Sequence, residues 1–581
     1  MAASQNQHTQ KIVSLLNSGQ LGAAAKAAKT AMKAFPKAPQ FPNMAATIAA
    51  QSGDPRAAVQ FFAKALKLSP GDPGIQENLI QSLVESDQHT KARELISKLV
   101  VKRPSSDRLW QLLAVSHMRC NEHAESIDAA TKAIAVNASN ALAFNLRGIS
   151  RKSLGYHAEA VVDFRKSHEI KPRDPDPLAN MSLPLAELGK PEEAFEACRM
   201  ALELDPNHRI ALFNNAVLLN EHGRIEDAVG VFKRLLEIDP LHAEAWSELV
   251  QTQSKEDNLR LEPAIRYAIT KTPRKSENQI HLNLALGNCL FQKGDFEGAS
   301  AALAVSNELA FKTRDVDTRN AQRQLEAIKD RFPKDGTLST AGDTQSPCPI
   351  FIIGQPRSGT TLVEMMVSSR SDVASCGELP FANQLLIELL KNQEEFDPKT
   401  FSHSYRSSLP ALPSGAEYFV DKMPSNYRYV GFLLSAFPNA PIIHVERDPR
   451  DVALSMWRSH FPAGDMDYTS NLEAMARTAN IYRKYMNHWK SIAGNRMLTL
   501  DYSDIVTDIE GSSRKIADLC EVEWTPEMMS PEQNKARVKT ASVVQVRHGV
   551  HTKSIGGWQR MERALLPFTK ALDHELWPDL D

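Results

Sequence analysis

The sequence predicts an α-solenoid in the first half of the chain, followed by an α/β three-layer domain with a parallel sheet. The solenoid is predicted by three sets of residues that each recur every 34 positions. The α/β domain is predicted by short apolar runs that alternate with stretches long enough for crossover helices. At 581 residues the chain also exceeds the size, roughly 250–300 residues, at which a single hydrophobic core stops growing.

The repeated unit of the first half has the features of a helix hairpin. A turn-type residue separates two helices, a small residue five positions later allows them to approach, and a proline ends the second helix. The turn positions are Gly19, Gly53, Asp87, Asn121, Gly155, Gly189 and Gly223. The small positions are Ala24, Ala58, Ala92, Ser126, Ala160, Ala194 and Ala228. The prolines are Pro36, Pro70, Pro104, Pro172, Pro206 and Pro240, with Ala138 at the remaining step.

A weaker unit follows at 284–303, with its turn at Gly294, and the longer spacing before it indicates an insertion or irregular repeat near 255–280. The period and the helix–turn–helix pattern resemble the tetratricopeptide repeat. Such arrays form superhelices that commonly bind a peptide or a protein partner, whereas a structural spacer or self-association is the alternative.

Domain boundaries follow from the loss of periodicity after Phe332. The segment from there to Pro349 is rich in Gly, Ser, Thr and Pro, which is typical of a linker. We expect the repeats to span 1–335, the linker 336–347 and the second domain 348–581.

Charge and cysteine content narrow the class of protein. The net charge of −2 gives no global basic field for nucleic acid or an anionic membrane. The six cysteines form no CxxC pair, which favours reduced thiols in the cytoplasm over disulfides or a zinc site. No apolar run reaches the roughly 18 residues of a membrane span, and the N-terminus lacks the pattern of a secretory signal. We therefore expect a cytoplasmic protein that neither spans a membrane nor binds nucleic acid.

Four apolar runs in the second half are expected to form buried parallel strands, at 350–353, 418–420, 441–445 and 497–500. Because ligands bind beyond the carboxyl ends of such strands, polar residues that follow the runs predict a site at one edge of the sheet. These residues are Arg357, Lys422, Arg447 and Tyr502.

The segment from Gly354 to Thr361 is predicted to bind a phosphate group. It passes from strand to helix, where successive backbone N–H groups and the positive end of the helix dipole face an anion. Its spacing fits the pattern G-x-x-x-x-G-K-S/T, except that Thr360 occupies the lysine position. The missing lysine predicts a nucleotide whose transferred group is not a γ-phosphoryl. An ordinary strand–helix turn is the alternative.

Three strings in the second half resemble a known family: PRSGTTL in the loop, SCGELP at 375–380 and ERDPRDVALS at 446–455. They resemble the sulfotransferases that use 3′-phosphoadenosine 5′-phosphosulfate (PAPS). The likeness is greatest to tyrosylprotein sulfotransferases and to bacterial proteins that join tetratricopeptide repeats to such a domain. It covers roughly 348–567 and implies a P-loop-like fold with PAPS as co-substrate and no metal.

The resemblance also implies which residues bind the nucleotide. Arg447 and Ser455 match the 3′-phosphate element of the family, although a surface ion-pair cluster of Asp448, Arg450 and Asp451 is the alternative for that segment. Tyr502 matches a tyrosine of the nucleotide pocket. The residues that match the 5′-phosphosulfate element are Arg357, Ser358, Gly359, Thr360 and Thr361.

The segment 552–561 resembles the loop with which the family closes over the nucleotide. It departs from the family pattern because Gly557 replaces the basic residue that usually precedes the tryptophan, here Trp558. We expect Lys553 or Arg547 to supply the missing contact with the 3′-phosphate.

The resemblance further implies a catalytic set. Glu378 matches the glutamate that acts as general base in the tyrosylprotein type, where many cytosolic sulfotransferases use histidine. Lys422 matches the lysine that contacts the bridging oxygen of the leaving group. Its neighbour Asp421 is expected to orient it. Arg357 and Ser542 are expected to contact the phosphosulfate. Helix capping by Glu378 and an ordinary strand-end position for Lys422 are the alternatives. The rival bases are His444, His460, His548 and His551.

The predicted activity is therefore transfer of a sulfuryl group from PAPS to an acceptor hydroxyl of a protein tyrosine, a glycan or a small molecule. The repeats are expected to bind the acceptor or a protein partner. The alternatives are a divergent P-loop kinase or NTPase, and a repeat adaptor whose second domain is catalytically silent.

Overall fold

The computed structural model describes residues 2–312, 318–334, 336, 338, 341–392, 394–461, 464, 466–534, 536–538, 546–547 and 549–580. The chain forms two compact units, Met1–Ala211 and Leu212–Asp581. This division lies within the helical array, because the last helices of the array group with the sheet domain. The boundaries at 335/336 and 347/348 stay a prediction.

The array consists of consecutive helix hairpins, as predicted. The helices of the first unit are α1 (Ala2–Asn17), α2 (Leu21–Ala34), α3 (Gln40–Gln51), α4 (Pro55–Leu68), α5 (Pro73–Glu85), α6 (His89–Lys102), α7 (Asp107–Arg119), α8 (His123–Val136), α9 (Ala141–Ser153), α10 (His157–Ile170), α11 (Asp176–Glu187) and α12 (Pro191–Leu204). The array continues with α13 (Arg209–Glu221), α14 (Ile225–Ile238), α15 (Ala243–Thr252), α16 (Lys255–Asn258), α17 (Glu262–Lys271), α18 (Asn278–Lys293), α19 (Phe296–Phe311) and α20 (Thr318–Arg331).

The three recurring positions behave as their chemistry predicts. All seven turn residues have positive φ, between 58° at Asp87 and 82° at Gly155. Glycine adopts this backbone freely, and Asp and Asn are the other residues that tolerate it best. All seven small residues have no solvent-exposed surface. Each proline, and Ala138, lies two residues after the last residue of its helix.

The irregular repeat near 255–280 is confirmed. After α15 the chain forms the short helices α16 and α17 before the hairpin of α18 and α19, whose turn residue Gly294 has a φ of 91°. Asn258 at the end of α16 is fully buried and donates from Nδ2 to the carbonyl oxygen of Val250 and to Oε1 of Gln292. These bonds connect the irregular segment to α15 and α18.

The second domain contains a parallel five-stranded sheet with the order β2–β3–β1–β4–β5. The four predicted strands are confirmed, and one short edge strand, β2, was not expected. The strands are β1 (Cys348–Gly354), β2 (Val373–Ser375), β3 (Tyr418–Asp421), β4 (Ile442–Glu446) and β5 (Met497–Asp501).

Helices cover both faces of this sheet, which gives the three layers. The helices are α21 (Thr360–Val367), α22 (Phe381–Asn392), α23 (Pro398–Ser407), α24 (Val430–Ala436), α25 (Pro449–Trp457), α26 (Leu472–Lys490), α27 (Tyr502–Thr507), α28 (Ile509–Cys520) and α29 (Glu562–Ala571). Ile352 of β1 belongs to the same buried cluster as Val363 of α21 and Ile516 of α28. Its neighbour Phe351 contacts the ring of Tyr405 on α23, at a centroid distance of 6.2 Å. Among the described helices, none has the combined length and hydropathy of a membrane-crossing segment.

Candidate active site

The loop between β1 and α21 is shaped by two glycines that have no room for a side chain. A Cβ atom on Gly354 would lie 2.6 Å from the carbonyl oxygen of Val445, and one on Gly359 would lie 2.6 Å from the ring of Tyr502. Gly359 also has a φ of 109°. Arg357 adopts a positive φ of 70°, which is uncommon for a residue with a side chain. The close contacts hold the loop against β4 and Tyr502.

A cavity of about 270 Å³, here called the smaller cavity, lies beside this loop. Arg357 Nε donates to Ser455 Oγ at 2.9 Å. Arg447 donates to the carbonyl oxygens of Arg357, at 3.0 Å, and Ser554, at 2.7 Å. The Arg447 guanidinium also stacks on the Tyr502 ring, 4.4 Å from its centroid. The structure thus brings together predicted residues that follow β1, β4 and β5.

The smaller cavity is suited to an anion. Burial and the neighbouring Arg447 charge lower the pKa of Arg357 to about 10, because both effects disfavour its cationic form. Ser358 Oγ and Arg447 Nε are buried without a hydrogen-bond partner among the described residues. An unpaired buried donor is costly, and a phosphate group in the smaller cavity, which Arg447 lines, would accept a hydrogen bond from Arg447 Nε.

The segment 552–561 borders the smaller cavity and is held there by Asp451. The Asp451 carboxylate accepts hydrogen bonds from the backbone N–H groups of Gly556, at 2.8 Å, and Trp558, at 2.9 Å. Arg450 stacks on the Trp558 ring at 4.0 Å, so these residues anchor the segment and are not a separate surface cluster. Asp451 is itself buried, and burial raises its pKa.

Of the two residues expected to compensate for Gly557, only Lys553 lines the smaller cavity. Arg547 instead donates to the backbone carbonyls of Asn534 and Ala536. Arg560 lines the cavity as well, three residues after Gly557, and was not identified from the sequence.

Glu378 and Lys422 form an ion pair. Lys422 Nζ lies 2.5 Å from Glu378 Oε1, and 3.8 Å from the carboxylate of Glu364 on α21. The Lys422 side chain is 1% exposed, whereas that of Glu378 is 41% exposed and can reach a ligand. Burial raises the pKa of Glu364, and the Lys422 charge opposes this rise. A predicted base and a predicted leaving-group cation thus lie side by side.

Asp421, expected to orient Lys422, has a different set of partners. Its carboxylate accepts from Tyr405 OH, from Asn426 Nδ2 at 2.8 Å and from the backbone N–H of Leu379 at 3.3 Å. Burial raises the pKa of Asp421 to about 7. The contact with Leu379 fixes the backbone next to Glu378, so Asp421 positions Glu378 rather than the lysine.

Glu378 lines a second cavity of about 720 Å³, here called the larger cavity. Its walls come from the sheet domain and from α13, α15 and α18, all within the second unit. Arg357, Gly359, Thr361, Ser455 and Arg458 line both cavities, so the two are adjacent.

Arg458 was not identified from the sequence. Its Nε donates to Asn288 Oδ1 of α18 at 3.0 Å, and its guanidinium stacks on Phe291 at 3.6 Å. Burial, together with the Arg357 and Arg560 charges, lowers its pKa to about 9. Arg458 lies only three residues beyond Ser455, so the nearby motif was a signal, but its partners lie on a distant helix.

The remaining predicted positions have varied surroundings. Thr360 lines the larger cavity only. His444 is buried in β4 against Thr499 and Tyr482, and burial lowers its pKa to about 3. His460 lines the larger cavity and His551 the smaller. Ser542 and His548 lie outside the described residues. Within the part of the chain that the structure describes, no cluster of His, Cys, Asp and Glu could hold a metal ion.

Family models match segments of both the sheet domain and the repeat array. Residues 349–526 match the sulfotransferase family. Residues 9–73, 49–115 and 185–253 match tetratricopeptide repeats.

Individual proteins resemble parts of the chain. A protein of Aquifex aeolicus (strain VF5) named as uncharacterized is 31% identical over 307 residues, which is 49% of this chain and 40% of that protein. Protein-tyrosine sulfotransferase A of Caenorhabditis elegans is 23% identical over 32% of this chain and 52% of its own length. The chain thus spans about half or less of the length of these relatives. The crystal structure of MamA shares 25% identity over 28% of this chain and 94% of its own, with a TM-score of 0.26.

Proposed function

We propose that this chain, which joins tetratricopeptide repeats to a sulfotransferase-family domain, is a PAPS-dependent sulfotransferase acting on an acceptor hydroxyl. The observation that carries the proposal is the Glu378–Lys422 ion pair in a cavity adjacent to the arginine-rich smaller cavity. A base for an acceptor and a binding site for a phosphorylated donor are thereby neighbours.

The residues of the smaller cavity fit the donor. Arg447 and Ser455 would bind its 3′-phosphate, and Arg357, Ser358 and the first turn of α21 its 5′-phosphosulfate. A guanidinium with a hydroxyl suits a dianionic phosphate. Ser358 Oγ and Arg447 Nε supply donors that no described residue accepts from. Ser542 remains a proposed contact to the phosphosulfate, and Tyr502 and Lys553 proposed contacts to the nucleotide.

The reaction follows from these assignments. PAPS supplies the sulfuryl group. Glu378 takes the proton of the acceptor hydroxyl as its oxygen bonds to sulfur. The bond between sulfur and the bridging oxygen breaks, and its electron pair stays on the phosphate oxygen of 3′,5′-adenosine bisphosphate. Lys422 would stabilise that developing charge. We propose a cytoplasmic location, since all six cysteines are free, as is usual in a reducing compartment.

Calorimetric titration without magnesium tests the donor site. We expect 3′,5′-adenosine bisphosphate to bind much more tightly than 5′-AMP or ATP. Arg447→Ala should weaken this binding at least about tenfold, because hydrogen bonds to charged groups contribute roughly 1.5–3 kcal/mol. The exposed Arg477→Ala on α26 is the control. Equal binding of 5′-AMP would contradict the proposal, and magnesium-dependent ATP turnover would indicate a kinase or NTPase.

Release of labelled sulfuryl groups from PAPS tests the base. Glu378→Gln should reduce transfer by about 10²–10⁴-fold, the usual contribution of a general base, while nucleotide binding is retained. Glu388→Gln, an exposed change on α22, is the control. Full turnover by Glu378→Gln would exclude this residue as the base.

A further inference from the structure

The wall of the larger cavity opposite the sheet domain comes from helices of the repeat array. Asn220 of α13, Glu248 of α15 and His281 and Asn288 of α18 line the same cavity as Glu378. An acceptor bound for attack from the Glu378 side would therefore contact these helices. The chemistry of their side chains then determines which acceptors are bound.

Asn220 has an unused hydrogen-bond acceptor. Its side chain amide donates from Nδ2 to Thr252 Oγ1 at 3.1 Å. Asn220 is only 4% exposed, and its buried Oδ1 has no hydrogen-bond partner among the described residues. A buried carbonyl oxygen without a partner costs stability unless a ligand or water donates to it. A bound molecule in the larger cavity, which Asn220 lines, would supply such a donor.

Glu248 adds a second acceptor to the same wall. No hydrogen bond or ion pair joins its carboxyl to any described residue, whereas the nearby Glu221 receives two hydrogen bonds from Arg537, at 2.9 and 2.7 Å. Burial and the charges of Glu221 and Glu244 raise the pKa of Glu248 to about 7. The carboxyl is thus costly to ionise in place, and a ligand that donates a hydrogen bond to it would offset that cost.

We propose that α13 and α15 form the acceptor-binding wall, and that Asn220 and Glu248 accept hydrogen bonds from an uncharged polyhydroxylated acceptor, a sugar. This inference rests on the proposed sulfotransferase function. Several hydroxyl groups on one small molecule supply donors to both oxygens and also present the group that Glu378 deprotonates. A volume of about 720 Å³ is within the roughly 300–1,000 Å³ usual for small-molecule sites. An acidic tyrosine peptide would instead bring negative charge towards Glu248.

Binding is tested first, with the full chain saturated with 3′,5′-adenosine bisphosphate. Saturation-transfer NMR would compare methyl glucoside, methyl galactoside, methyl mannoside, maltose and lactose with an acidic tyrosine peptide and 4-nitrophenol. We expect a saturation-transfer signal, which reports binding, for at least one sugar. The absence of this signal for every sugar, or a signal for the peptide or the phenol alone, would overturn the assigned acceptor class.

The wall is tested with the best-bound sugar as the probe. Glu248→Ala should weaken its binding about tenfold or more, since the hydrogen bond to the partly buried carboxyl is lost, while Glu248→Gln, which keeps an oxygen acceptor, should change it only a few-fold. With labelled PAPS the same change should appear in KM and leave kcat unaltered. Glu237→Gln, exposed on α14, is the control. Unchanged sugar binding in Glu248→Ala would overturn the role of α15.

Failure of the two proposals can be told apart. If the sulfotransferase proposal is wrong, 3′,5′-adenosine bisphosphate will not bind to the unmodified protein. Failure of the acceptor wall alone would appear as normal nucleotide binding together with one of the contradictory sugar results.

Discussion

The two cavities that meet at Arg357 and Arg458 are built in different ways. The smaller cavity takes its polar groups from the ends of β1 and β4 and the helices that follow them, and these groups hydrogen-bond to one another. The larger cavity takes its groups from the sheet domain and from three helices of the array, and among the described residues neither Asn220 Oδ1 nor the Glu248 carboxyl has a hydrogen-bond partner. The first arrangement holds its own polar groups in place, whereas the second leaves acceptor oxygens that a ligand can use.

The largest expected effect separates chemistry from binding. Lys422→Met should lower kcat by about 10²–10³-fold, the cost of removing one group that stabilises transition-state charge, with a much smaller change in binding of 3′,5′-adenosine bisphosphate. Without the Lys422 charge, the pKa of the buried Glu364 should rise further, so this carboxyl becomes protonated rather than left as an unpaired ion. Single-turnover kinetics measure the effect, with Lys391→Met on α22 as the exposed control. Equal losses in kcat and nucleotide affinity would place Lys422 in donor binding instead.

A change at the shared boundary should affect both cavities. Arg458→Gln removes a buried positive charge next to Arg357 and the stacking on Phe291, so we expect affinity for 3′,5′-adenosine bisphosphate and for the acceptor each to fall about tenfold. Calorimetry on each ligand measures this, with Arg477→Gln as the control. A loss confined to one ligand would show that the cavities act independently at this residue.

Glu248 should make the stability of the folded chain depend on pH. Its pKa is raised in the folded chain to about 7, so the unfolded chain loses its proton first, and stability falls as pH rises from about 4.5 to 7. Glu221, itself bound by Arg537, and Glu244 are the charges that act on it.

Glu248→Gln should therefore raise the thermal midpoint at pH 8 and have little effect as pH approaches 4.5. The shift in the Glu248 pKa corresponds to at most about 3 kcal/mol in the free energy of unfolding, and the partial exposure of the side chain reduces this value. Melting of Glu248→Gln and Glu237→Gln across this range tests it. An equal gain at both ends of the range would contradict the assigned titration.

The smallest effect concerns Ser358 and should have opposite signs in two assays. Ser358→Ala removes a buried hydroxyl that has no described partner, so stability should stay level or rise by up to about 1 kcal/mol. Affinity for 3′,5′-adenosine bisphosphate should fall a few-fold. Ser435→Ala is the matched control, because that buried hydroxyl donates to the carbonyl of Gly431 and its loss should destabilise the chain. A destabilised Ser358→Ala would mean that the hydroxyl has a partner within the protein.

Most of the fold and of the smaller cavity could be predicted because their signals are local. Turn residues such as Asp87 and Gly155 are of the types that tolerate positive φ, so the turns could be predicted from residue type. Arg357 and Ser455 lie inside short motifs. The edge strand β2 was missed because three residues carry no periodicity. Arg458 and Asn220 were missed because each acquires its role from partners far away in sequence.

The amino-acid sequence by itself determined the repeat period, the strands that precede the site and the loop whose spacing resembles a phosphate-binding loop without its lysine. These features depend on backbone preferences and on neighbours within a few residues. Only the tertiary structure decided that Glu378 pairs with Lys422, that Asp421 bonds to the backbone next to Glu378, and that α13 and α15 line the same cavity as Glu378. Such contacts arise from the packing of distant elements, and no local pattern encodes them.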